Sequence, residues 1–94
     1  MSVWERVQEL NGKTLYTLSR ENPFEVIGVL ADWIIFVPVG GNGTPRLIGR
    51  ELIENVEKMN LGKENLLPSR LTKEFPHNQN LSYVAAIVHA VTEG

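Results

Sequence analysis

The chain of 94 residues has no cysteine. That absence removes disulfides, thiolate metal ligands and cysteine nucleophiles together, and it suits a reducing compartment. Asp32 is the only aspartate, and His77 and His89 are the only histidines. A zinc site needs at least a third protein ligand, and although Glu74 lies three residues before His77, Pro76 interrupts any helix between them. Paired carboxylates are the minimum for glycosidase-type hydrolysis. Asp32 instead occupies a tight turn, where aspartate is favoured on conformational grounds, and the glutamates fall mostly on polar helix faces. Ser19 and Ser69 lack the G-x-S-x-G elbow of a hydrolase nucleophile. No catalytic residue, metal ligand or cofactor is assigned.

An excess of either charge is also missing. Nine basic and eleven acidic side chains give a formal net charge of −2, without the strong positive balance that announces a polyanionic partner. The longest apolar run, Trp33 to Val39, falls well short of the roughly 20 residues a membrane span requires. The opening residues, Met1 to Arg6, carry an acid and no apolar stretch, unlike a secretory signal. The expectation is a cytoplasmic protein with no membrane contact.

What is present is enough apolar content, 43%, for one globular domain spanning residues 1–94. Ser2-Val3-Trp4-Glu5 has the form of a capping box, and Trp4, Val7 and Leu10 follow at helical spacing before Asn11-Gly12. This predicts a helix from about Ser2 to Leu10. Three extended segments come next: Lys13 to Leu18, Phe24 to Leu30, and Trp33 to Val39. The last two flank a tight turn at Ala31-Asp32, and Pro45 to Ile48 adds a short fourth strand. Pro38 lacks a ladder donor, which places the end of its strand at an edge or bulge. The second half is helical, with an apolar stripe of Leu52, Ile53, Val56 and Met59. A short helix then opens at Pro68, and a last one carries Leu81, Val84, Ile87, Val88 and Val91. Glu54 and Lys58 are placed as an i,i+4 ion pair. Without βαβ alternation the class is α+β: an N-terminal helix, a three- to four-stranded antiparallel sheet, then three helices packed on it.

The loop Gly40-Gly41-Asn42-Gly43-Thr44-Pro45-Arg46 has neither P-loop nor dinucleotide-fold spacing, and no helix follows it directly. It reads as a flexible hairpin loop. The basic residues offer more. Arg20 lies in a turn, Arg46 follows the glycine loop and Arg50 opens the next helix, so together they would form a positive rim, extended by Arg70 and Lys73. The structural alternative is solvated arginines paired with Glu21, Glu51 and Glu74. Trp4 and Trp33, each in an apolar pattern, are expected as core anchors.

Three stretches carry a resemblance: Leu10-x-Gly12-Lys13-x-Leu15-x-Thr17-Leu18-Ser19-Arg20-x-x-Pro23-Phe24-x-Val26, Ile48-x-Arg50-x-x-Ile53, and Asn80 to Ile87. Together they resemble small uncharacterised modules that occur alone or attached to restriction-type endonucleases and other phage or mobile-element proteins. Lone copies would be at home among the small proteins of integron gene cassettes. This chain departs from them in its short glycine-rich loop and in carrying no nuclease domain within its 94 residues. The resemblance implies an accessory role in binding duplex DNA, with Ser19, Arg20 and Arg50 as backbone contacts; Arg46 joins them from the rim. A competing expectation is a protein-interaction or self-associating domain, such as a homodimer. It is argued from the near-neutral charge, a proline-bearing edge strand at Val37-Pro38-Val39, and a last helix apolar on more than one face.

Overall fold

Ser2 opens the first helix as its capping box predicts: its Oγ accepts the Glu5 N–H at 3.3 Å. From there the computed structural model describes residues 2–76, 78 and 80–93, Lys63 and Glu93 by their backbone alone. The order is α1 (Val3–Gln8), β1 (Thr14–Tyr16), β2 (Pro23–Val29), β3 (Trp33–Pro38), β4 (Arg46–Gly49), α2 (Arg50–Lys58), α3 (Pro68–Glu74) and α4 (Leu81–Glu93). A single 3-10 turn, Lys63–Asn65, precedes α3. This is the α+β arrangement the sequence predicts, with the fourth strand present.

The four strands form an antiparallel meander in the order β1-β2-β3-β4. Leu15, Phe24, Val26, Ile34, Phe36 and Ile48 face the helices, and all but the partly covered Leu15 are fully buried. A bulge in β2 sets this alternation. Val26 pairs with Phe36 but Gly28 with Ile35, so Ile27 is an extra residue. The insertion flips the facing of the rest of the strand, turning Val29 toward the core and Gly28 outward.

α4 is the centre of the helical layer and touches α1, α2, α3 and β1. Leu81, Val84, Ala85, Ala86, Ile87, Val88 and Val91 are all buried. A helix apolar around most of its circumference is one surrounded by its own fold. Its several apolar faces are thus satisfied within the domain and give no support to a partner. Tyr83 of α4 closes an aromatic cluster, with its ring centroid 5.1 Å from Phe24 and 4.7 Å from Phe36, while the two phenylalanines stand 5.5 Å apart.

β1 ends two residues earlier than its sequence pattern suggests because Thr17 is drawn into the turn. Its Oγ1 accepts the Asn22 N–H at 2.9 Å, its carbonyl accepts the Glu21 N–H, and its own N–H donates to Asn22. Glu21 takes a left-handed φ of 53° to complete the reversal. β3 is a central strand rather than an edge. Its end is nonetheless free on one side, because β4 pairing stops at Phe36↔Arg46. Val39 donates to Pro23 of β2, so the donor that Pro38 lacks would have pointed to that free side.

Phe36 is fully buried within the aromatic cluster. Replacing it with alanine is expected to cost about 3–5 kcal/mol of unfolding free energy, as transfer plus cavity terms. Urea denaturation followed by far-UV circular dichroism, with an unchanged m-value, is the check.

Candidate interaction surface

Strand alternation sends every second residue to the face opposite the helices. On that open face the register places Tyr16 beside Pro23, and Thr14 beside Glu25 and then Val37. Gly28 lies beside Ile35 and Leu47, and Trp33 beside Gly49. The turn extends the same face, since Leu30 donates its N–H to Trp33. Tyr16 is 57% exposed, Leu47 54% and Trp33 48%, with Ile27, Leu30 and Val39 similarly open. Two aromatic side chains of roughly 150–250 Å² each and four smaller aliphatic ones, all about half exposed, sum to an area approaching roughly 600 Å². That lies at the top of the ~300–600 Å² range for the largest patch on a monomer. Glu25 is the only charged side chain at the paired positions of this face, and it stands on the β1 side of the central row Trp33–Ile35–Val37.

Trp33 is therefore not the core anchor its apolar context suggests. Its pairing with Gly49 lets the indole lie across that glycine, with ring carbons about 3.6 Å from where a Cβ would stand. Its other side is open to solvent. Trp4 does anchor the core, at 3% exposure.

The arginines divide between the two ends of the sheet. Arg46 begins β4 at the end holding the β1–β2 turn, whereas Arg50 follows β4 at the other end. The four intervening residue steps amount to roughly 13 Å of strand. Arg46 lies 5.6 Å from the Tyr83 ring centroid and donates to Asn80 Oδ1 at 3.3 Å. Arg50 stacks 5.4 Å from the Trp4 centroid, donates to the Ala31 carbonyl at 3.3 Å, and pairs with Glu54 at 3.1 Å. This is the only ion pair among the described residues, and it replaces both the Glu54–Lys58 pair and the arginine pairings with Glu21, Glu51 and Glu74 that the sequence suggests. Arg50 thus ties the β2–β3 turn to α1 and α2.

Ser19 and Arg20 are exposed in the β1–β2 turn. They line one wall of a cleft whose other walls include Asn22, Ser69, Ser82 and Tyr83. Ser69 also borders the shallow depression holding Arg70 and Lys73. Arg20, Arg70 and Lys73 therefore share a neighbourhood from which Arg50 is absent. Among the described residues Arg20 makes no hydrogen bond or ion pair.

His77 lies outside the described residues. His89 is on α4, half-buried, with its Nδ1 covered and without a hydrogen-bond partner. Among the described residues no three His, Asp or Glu side chains gather in a metal-ligand cluster. Nor is any described helix long and apolar enough to cross a membrane. No protein-family model matches the chain, and no curated protein or solved structure matches it.

The contrast between Arg50 and Arg20 is directly measurable. Arg50→Ala removes a stacking contact, a carbonyl contact and a partly exposed ion pair, and is expected to destabilise the fold by about 1–2 kcal/mol. Arg20→Ala is expected to stay within about 0.5 kcal/mol of the parent. Paired urea unfolding curves separate the two.

Proposed function

We propose that this domain is a protein-interaction module whose docking surface is the open face of its sheet. One observation carries the reading: the sheet is apolar on both faces, and the helices cover one of them. An antiparallel sheet that keeps one face in water alternates apolar and polar residues along its strands. β3 reads Trp-Ile-Ile-Phe-Val-Pro, with no such alternation. Leaving Trp33 and Leu47 half exposed, and Ile35 and Val37 partly so, forfeits about 25 cal/mol for each Å² a partner would cover. The largest apolar patch on a monomer is often functional, and this face lies at the upper end of that size range.

A photo-reactive amino acid at position 47, placed in cells producing the protein at low level, is expected to give a discrete protein adduct. The same probe at exposed Lys73, away from the sheet, is expected to give none. Absence of any adduct from position 47, and equally from position 35, would end this reading.

A second reading, binding of duplex DNA, draws support from the shared neighbourhood of Arg20, Arg70 and Lys73 beside Ser19. It receives less from Arg46 and Arg50, whose guanidinium groups are engaged within the fold. With only Arg20, Arg70 and Lys73 near Ser19 on a chain of net charge −2, micromolar, steeply salt-dependent affinity is not expected. Fluorescence anisotropy against a short duplex at about 50 and 200 mM salt decides this: tight binding that weakens sharply with salt would favour the DNA reading.

A further inference from the structure

We infer that the occupant of the open face is a second copy of this chain, with the two sheets packed face to face about a two-fold axis near Ile35. The inference rests on the docking reading and adds to it the identity of the partner. Its first support is area. A standard interface takes about 800 Å² from each partner, with stable examples starting near 1,200 Å² in total. Two apolar patches on the order of 600 Å² reach that lower bound before any polar rim is counted.

The second support is charge. In a two-fold contact each residue near the axis meets its own counterpart, so a central charge would face a like charge. Here the central row Trp33–Ile35–Val37 and its neighbour Leu47 carry no charge. Glu25 stands on β2 directly beside Val37, off the row itself and on the side away from Leu47. Apolar meeting apolar is self-complementary without requiring opposite charges. Arg20 lies in the turn, Arg46 shares the inner face with its partner Phe36, and Arg50 follows β4, so none stands in the open-face rows.

The shape also suits sheet-on-sheet packing. Two such layers sit about 10 Å apart with strands within about 30° of parallel, each supplying side chains to the gap. Gly28 and Gly49 break the relief of the open face beside Ile35 and Trp33. Ile35 Cδ1 and the Trp33 indole lie across them, each 3.6 Å from where a Cβ would stand, which keeps the face low and flat. The result is a four-layer assembly of helices, sheet, sheet and helices, with no large apolar surface left on the strands.

Sedimentation equilibrium of the full chain over about 1–200 µM tests this. The parent is expected to move from monomer to dimer within that range. Leu47→Lys and Ile35→Lys, each checked for folding by circular dichroism, should weaken association by about tenfold or more, as changes at an interface centre do. Glu25→Gln, which removes the charge beside Val37, should leave association as strong as the parent's or strengthen it. A parent that stays monomeric throughout would overturn the second copy as partner, as would a dimer indifferent to both folded lysine variants. Failure here is separable from failure of the docking reading. A position-47 adduct whose mass differs from two copies of the chain would keep the open face as a docking surface while overturning self-association. No adduct at all would remove both.

Discussion

The structure depends on one mismatch: a sheet apolar on both sides, with helices enough for one. Burial of the inner face by α1, α2 and α4 organises the fold, with Phe24, Phe36 and Tyr83 in mutual contact at its centre. The same alternation that turns Ile34 and Phe36 inward turns Trp33, Ile35 and Val37 outward. The bulge at Ile27 keeps both sets aligned across the β2–β3 pair. Without the extra residue Gly28 would face the core and Val29 the solvent. A small domain gains much of its stability from removing apolar area from water, and this one leaves a sizeable share of that area uncovered.

Most of the fold is legible in the sequence because its signals are local. The proline at the start of α3 is built as read, and Ser2 caps α1 through its Oγ, although the Glu5 carboxylate accepts from the Ser2 hydroxyl rather than from a backbone N–H. The strand composition of β2 and β3 and the periodicity of α4 also give the correct elements. The shortening of β1 was not legible, since it results from Thr17 bonding across to Asn22. The end of α2 is likewise set by backbone geometry: Asn60, two residues past Lys58, adopts a left-handed φ of 55°.

The candidate surface is half legible. The unbroken apolar run of β3 is visible in the sequence, but which of its residues face a helix is decided by topology. Trp33 therefore reads as core and turns out half exposed. The arginine rim fails for a related reason, because the separation of Arg46 from Arg50 across β4 is fixed only once that strand forms. Two sequence arguments for association, the edge strand at Pro38 and the multi-faced last helix, are absorbed by the fold. β3 is central, and α4 is surrounded. The open face replaces them with a stronger argument from the same residues. Arg50 illustrates the converse: a cation that invites a ligand reading serves to hold the β2–β3 turn against α1 and α2.

The central claim, that the open face is covered by a second copy of this chain, is tested most directly by isotope-filtered nuclear Overhauser spectroscopy on an equal mixture of labelled and unlabelled chain. The account predicts intermolecular contacts from the Ile35 and Leu47 methyl groups to the Trp33 ring of the other copy, at concentrations where the dimer forms. Methyl groups at 35 and 47 that show only intramolecular contacts, with Trp33 still open to a soluble quencher at the same concentration, would contradict it.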